Sequence, residues 1–253
     1  MKLRSSFCFQ QLIFLALAGL LLVNVTRAQA PQQAAIKLKN GTTQQGVINQ
    51  VSASGVSIQL SPNQSVTYAL NLIDSVQMLP PPEYNLALQA IGQRDLPKAS
   101  SLVNTIVSKY KGLPTDWAQH STALVGDLAL QEGNLTKAAA AYEEFKKFYP
   151  SATQSEIGLA AIAASKKDFA TAKQKITPII EEALKVKDVP LTQRYAYSRA
   201  FYVSGQVKES EGNLAGALED YLRTVTIFYH DAAAVAAAQE RADALRKQKI
   251  AVP

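Results

Sequence analysis

Between residues 36 and 79 the chain alternates apolar and polar positions. Apolar side chains occupy every second position of segments 56–60 and 66–70, and turn-forming clusters separate such segments. A period of two is typical of half-buried strands, and the Asn40-Gly41 pair is a strong hairpin signal. The pattern predicts five short antiparallel strands. We expect them to close into a small barrel, because closure hides the strand edges.

Three prolines at positions 80–82 follow this segment and predict an extended linker between two domains, because proline has no backbone N–H to donate. From residue 83 onward, apolar positions recur with a period near 3.6, which predicts helices. Thr153 and Glu156 have the spacing of a capping box that opens one of these helices. Segment 231–250 begins with the cap residue Asp231 and ends in basic residues, as expected of a final cap helix.

The helical part, residues 83–230, contains an internal repeat. Segments 130–150 and 208–230 both contain Glu-Gly-Asn-Leu, then Ala, and Tyr four positions later. A third copy follows the clearest one by 34 residues, and a more divergent copy precedes it. Small residues at equivalent positions allow two helices to approach closely, and aromatic ones fill the space to the next pair. The residues predicted to pack the repeats are Gly126, Ala138, Tyr142, Ala172, Gly205, Ala217 and Tyr221.

The repeat resembles the tetratricopeptide repeat (TPR) family, whose second helix has the pattern seen here as Ala138, Tyr142, Phe145 and Pro150. This resemblance implies an α-solenoid of about four helical hairpins with a C-terminal cap helix. Segment 38–48, LKNGTTQQGVI, resembles the first strand pair of SH3/Sm-like small barrels. The expected fold class is therefore α+β, a small N-terminal β-barrel followed by an all-α TPR solenoid.

The N-terminus has the pattern of a secretory signal peptide. Lys2 and Arg4 precede an unbroken apolar run of 12 residues, and small residues alternate after it. The run is shorter than the roughly 20 residues that span a bilayer. We expect cleavage after Ala28, export to the periplasm or beyond, and no stable membrane insertion of the mature chain.

Composition and charge exclude several classes of partner and site. The 253 residues are 47% hydrophobic and 18% charged, an ordinary globular balance, and the formal charge falls from +6 to +3 once residues 1–28 are removed. This weak basicity argues against a nucleic-acid partner. The single cysteine, Cys8, excludes a disulfide framework, and the two histidines stand 110 positions apart. No catalytic or nucleotide-binding motif is present, so we predict no catalytic residue, metal or cofactor.

The TPR resemblance also suggests a binding surface, because in that family the first helix of each hairpin lines a concave groove. Tyr and Arg side chains, common at binding hot spots, occur among the equivalent positions here. A carboxylate clamp is not expected, since Tyr84 and Leu88 occupy its positions, and an extended or helical peptide is the predicted occupant. The candidate partner-binding residues are Tyr84, Leu88, His120, Ala123, Asp127, Ile157, Ala161, Arg199, Tyr202, Gln206 and Glu209.

The repeat string that ends in AYEEFKKFYP resembles repeats of exported bacterial cell-envelope proteins. This resemblance implies a non-enzymatic adaptor or scaffold for protein–protein interaction or assembly in the envelope. One alternative is a module that binds peptidoglycan or another glycan through the β segment. An Sm-like RNA-binding protein would require the cytoplasm, and an enzyme would require a polar pocket that joins Asp127, Arg199 and Glu209.

Overall fold

The computed structural model describes residues 32–252, apart from Ala53, Pro190 and the side chains of Leu191 and Thr192. The predicted signal peptide, residues 1–28, lies outside the described residues. The fold of the described part is α+β, as predicted, with five antiparallel strands followed by nine helices. The strands are β1 (Gln33–Leu38), β2 (Thr43–Ser52), β3 (Gly55–Ser61), β4 (Gln64–Tyr68) and β5 (Ile73–Gln77), with a short 3-10 turn (Leu70–Leu72) before β5.

The sheet is open rather than closed. Its strand order is β4-β3-β2-β1-β5, so that β4 and β5 form opposite edges. The predicted closed barrel is therefore wrong for the described strands. The reason lies in what covers the apolar face: Ile36 and Ile58 of the sheet share a buried cluster with Ile106, Tyr110 and Trp117 of the helices. Helices bury this face, so closure of the sheet is not needed to remove it from water.

The helices occupy the rest of the described chain. They are α1 (Pro82–Gly92), α2 (Leu96–Tyr110), α3 (Asp116–Gln131), α4 (Leu135–Phe148), α5 (Gln154–Ser165), α6 (Phe169–Ala183), α7 (Leu191–Ser210), α8 (Leu214–Thr226) and α9 (Ala232–Lys247). The last of the three prolines, Pro82, is the first residue of α1, a position that suits proline because the N–H it lacks has no partner there. The indole Nε1 of Trp117 donates to the carbonyl oxygen of Met78 at 3.0 Å, which fixes α3 to the chain that leaves β5.

Helix boundaries follow local chemistry in most places. Asn134 and Asn213 cap α4 and α8, and the glycines before them, Gly133 and Gly212, have φ angles of 75° and 78°. The predicted capping box at Thr153 is wrong. That residue already has helical φ and ψ angles and makes no side-chain cap bond, while Glu156 instead pairs with Lys146 and Lys175 at 2.9 Å each.

The nine helices form two layers. Each helix packs on the next one along the chain, and the odd-numbered helices also contact one another: α3 with α5 and α7, α5 with α7, α7 with α9, and α9 with α1. The odd-numbered helices therefore share an inner face. No helix of the described part combines the length and the apolar character that crossing a membrane requires.

Glycines and tyrosines set the spacing between these layers. The ring of Tyr142 on α4 lies against Gly126 of α3 and Gly158 of α5, where an added Cβ would overlap the ring. Tyr221 of α8 lies against Gly205 of α7 in the same way. The small residues predicted at the other packing positions, Ala138, Ala172 and Ala217, are fully buried.

Candidate ligand-binding groove

Three adjoining hollows lie on the inner face of the odd-numbered helices. The first hollow lies between α1, α3, α5, α7 and the start of α9, and its empty space, with the solvent at its mouth included, is about 850 Å³. Measured in the same way, the second hollow, along α3, α5, α7 and α9, is about 630 Å³, and the third, between α1 and α9, is about 1050 Å³. All three are partly open to solvent. Gln131, the last residue of α3, borders each of them, so the three hollows adjoin one another, and together they are called the groove below.

A buried ion triad borders the first two hollows. The guanidinium of Arg199 donates through Nη1 to Asp127 Oδ1 and through Nη2 to Asp231 Oδ2, the latter at 2.6 Å. The three side chains are only 12–14% exposed. Tyr142 adds a fourth member, because its hydroxyl donates to the same Asp127 oxygen at 2.5 Å. The triad and Tyr142 together therefore join α3, α4, α7 and the start of α9 at one point.

The carboxylate of Asp231 is also held by the start of its own helix. Asp231 is the N-cap of α9, and its Oδ1 accepts the backbone N–H groups of Ala233 and Ala234 at 3.0 and 3.1 Å. These bonds place a negative charge at the positive end of the helix dipole.

Burial, followed by the charge of Asp231, raises the pKa of Tyr142 far above its ordinary value, so the hydroxyl remains a donor to Asp127.

Both histidines of the chain line the first hollow, on either side of Tyr195. The ring centroids of His120 and Tyr195 are 4.1 Å apart, and those of Tyr195 and His230 are 5.8 Å apart. The hydroxyl of Tyr84 forms a hydrogen bond with His120 Nδ1 at 2.7 Å. It does not bond the other ring nitrogen, Nε2. The Nδ1 atom of His230 is buried without a hydrogen-bond partner among the described residues.

The environment keeps both imidazoles uncharged at neutral pH. Burial lowers the pKa of His120 to about 4, and the nearby charge of Asp231 offsets only part of this effect. Burial and the charge of Arg194 also lower the pKa of His230.

The remaining walls of the first hollow are mostly apolar, and their side chains are Leu88, Ile91, Ala123, Leu124, Ile157 and Ala196.

Most of the predicted groove residues line the first or the second hollow. Leu88, His120, Ala123, Asp127, Ile157 and Arg199 line the first hollow, and Ala161, Tyr202 and Gln206 line the second. Tyr84 reaches the first hollow only through its bond to His120.

Glu209 is placed differently from the other predicted groove residues. It lines none of these hollows, because its carboxylate accepts from Arg241 at 3.1 Å and from Tyr221 at 2.8 Å. Asp127, Arg199 and Glu209 therefore do not share one hollow, although Asp127 and Arg199 are ion-paired. Within residues 32–252, no group of three His, Cys, Asp or Glu side chains could hold a metal ion.

Several residues of the groove are absent from the sequence-based set, among them Gln131, Tyr195, His230 and Asp231. Tyr195 stands four positions before Arg199 on the same helix, so the helical period alone placed it on the same face. Asp231 was predicted only as a cap. His230 carries no sequence signal of this kind, because it reaches the hollow from the connection between α8 and α9.

Comparisons with known proteins do not assign this chain to a family. No protein-family model matches it, and no curated protein is significantly similar to it.

Proposed function

We propose that this protein is an exported, non-enzymatic scaffold that binds a segment of a protein partner in the groove on its inner helical face. The observation that carries the proposal is that the three hollows adjoin one another and share Gln131 in their linings. A single closed cavity suits a small molecule, whereas an elongated groove of this kind suits a peptide in extended or helical form.

In this proposal the helices form a TPR-like solenoid of about four hairpins with α9 as its cap. Support comes from the packing of consecutive helices and from the inner layer of odd-numbered ones. The repeated contact of Tyr142 with Gly126, and of Tyr221 with Gly205, adds to this support. In a solenoid each hairpin buries its apolar face against its neighbours, and the curvature creates a concave binding surface.

The cell envelope is the proposed location, on the strength of the signal-peptide pattern in residues 1–28. An N-terminus determined by mass spectrometry on protein from an expressing Gram-negative host tests this part. We expect the chain to begin after Ala28, and an intact N-terminal Met1 on protein from the cytoplasmic fraction would contradict export.

The groove is tested by a displayed library of random peptides, selected on the chain that begins at residue 29. Arg199 is a poor choice for a blocking variant, because it holds the buried triad. The exposed Gln131 and the half-buried Gln206 both line the groove, so Gln131→Trp with Gln206→Trp obstructs it without removing a core contact. Gln174→Trp on the exposed side of α6 is the matched control.

Synthetic copies of the selected peptides are then measured by fluorescence anisotropy. We expect the blocking variant to weaken the Kd at least tenfold, and the Gln174 variant to leave it unchanged. Failure to select any peptide, or equal binding to the blocked groove, would reject the proposal.

A second candidate function, glycan binding through the sheet, is favoured by one surface feature. Gln33, Val47 and Gln59 lie in register across β1, β2 and β3, and with Gln45 they line a shallow hollow of about 660 Å³. Side-chain amides can both donate to and accept from sugar hydroxyls. Co-sedimentation with purified peptidoglycan, lost when the three glutamines are changed to alanine, would support this candidate. Sedimentation unaffected by these changes would reject it.

A further inference from the structure

The first hollow contains more negative than positive charge. Asp127 and Asp231 both line it. Among the described residues that line it, Arg199 alone carries a full positive charge. The imidazoles of His120 and His230 add no charge at neutral pH. Arg194, whose charge reaches His230, pairs with Asp188 at 3.7 Å and lines none of the three hollows. One guanidinium therefore faces two carboxylates.

We propose that the first hollow receives the aliphatic cationic side chain of a lysine or arginine from the bound peptide. This inference rests on the proposed function and names the side chain that anchors the partner. The stem of such a side chain matches the walls formed by Leu88, Ala123, Leu124 and Ile157, because long cationic side chains bury their methylene groups along apolar surface while the charged end finds polar partners.

Asp127 is the group that would hold the charged end. The bonds from Arg199 and Tyr142 both end on its Oδ1, which leaves Oδ2 to accept from a ligand. Asp231 is more fully used, because its Oδ1 accepts two backbone N–H groups and its Oδ2 accepts from Arg199.

The same charges disfavour an anionic ligand. The hollow has no unpaired cation among its described lining residues, because both Nη atoms of Arg199 are bonded to carboxylates. A ligand carboxylate or phosphate would face Asp127 and Asp231 in a partly buried site, where like charges repel more strongly than they do in bulk water. A side chain without charge would fill the apolar walls but would form no ion pair with Asp127.

The probe for this site is Nα-acetyl-lysine N-methylamide, compared with the norleucine and glutamate analogues. Binding is followed through the NMR signals of the His120 and His230 rings during titration of the full mature chain. We expect a saturable shift with the lysine compound, at least fivefold weaker binding of the norleucine compound, and no shift with the glutamate compound. Raising the salt to 0.5 M is expected to weaken the lysine compound selectively.

Gln131 provides a charge test that leaves the fold intact, because this residue is exposed and borders the hollow. Gln131→Glu should tighten binding of the lysine compound by about threefold and Gln131→Lys should weaken it by about threefold, as expected for one unit charge several ångströms away. The same two changes at Gln174, on α6 and outside the groove, should have no effect.

Equal or tighter binding of the norleucine compound would overturn the inference and identify a purely apolar pocket. Binding of the glutamate compound, or of none of the three, would also overturn it. These outcomes are separate from the peptide selection above. If selected peptides still bind the groove while the lysine compound does not bind, the scaffold proposal stands and the cationic anchor fails.

Discussion

Nη2 of Arg199 lies 2.6 Å from Oδ2 of Asp231, and this contact joins the middle of α7 to the residue that caps α9. Through its other Nη atom, Arg199 also holds Asp127 of α3. One side chain thus fixes the start of the last helix against two inner helices. The position of α9, and with it the shape of the groove, depends on this arrangement.

Removal of Arg199 should therefore be costly. Arg199→Ala leaves two buried carboxylates without their partner, and we expect the free energy of unfolding in urea to fall by about 3 kcal/mol or more. Lys37→Ala is the comparison, because Lys37 and Asp74 are 55% and 47% exposed in their ion pair, and exposed pairs contribute about 0–1 kcal/mol. Equal losses in the two variants would contradict the structural role given to the triad.

Gly158 tests the packing around Tyr142. A methyl group added at position 158 would overlap the Tyr142 ring, so Gly158→Ala should lower the free energy of unfolding by about 1–3 kcal/mol. Gly92 of α1 is the matched control, because an added Cβ there meets no atom within 4 Å. Gly92→Ala should stabilise by roughly 0.5–1 kcal/mol, the helix preference of alanine over glycine. Thermal or urea unfolding distinguishes the signs, and stabilisation by Gly158→Ala would contradict this packing.

The buried His120 should make stability depend on pH. Its pKa is about 4 in the folded chain and about 6.5 when unfolded. Below pH 6.5 the unfolded state binds a proton that the folded state does not, so the contribution of His120 is complete above pH 6.5. It is lost progressively as the pH falls toward 4, by roughly 3 kcal/mol in total.

This contribution is isolated by urea unfolding of the parent chain and of His120→Gln at pH 7 and pH 5. All other titratable groups are the same in the two chains, so their effects cancel in the comparison. The parent should lose more stability than the variant over this interval. An equal loss in both chains would mean that His120 is not held in its neutral form.

The shared core predicts that the helical part depends on the sheet. A chain that begins at residue 80 would expose Ile106, Tyr110 and Trp117, which the sheet buries. We expect it to bind a hydrophobic dye such as ANS and to melt at a lower temperature than the mature chain. Dye binding and a melting temperature equal to those of the mature chain would show that the two parts are independent.

The amino-acid sequence is enough to predict which segments are strands and which are helices, because hydrophobic periodicity reports the local backbone period. It also determined local turns, since Gly133 and Gly212 occupy the left-handed positions that glycine favours. Thr153 shows the limit even at this scale: its capping partner, Glu156, is drawn to Lys146 and Lys175 on neighbouring helices.

The other features depend on contacts between segments that are distant in the sequence. The closed barrel failed because helices α2 and α3, distant in sequence, cover the apolar face of the sheet. Tyr195 lies one helical turn from Arg199, so helical spacing could have predicted its place in the groove. His230 and the triad partners Asp127 and Asp231 come from separate elements, and no local spacing relates them to Arg199. Histidines 110 positions apart line one hollow. Such contacts depend on how complete helices stack, and the local pattern of a chain does not record which of its distant surfaces will meet.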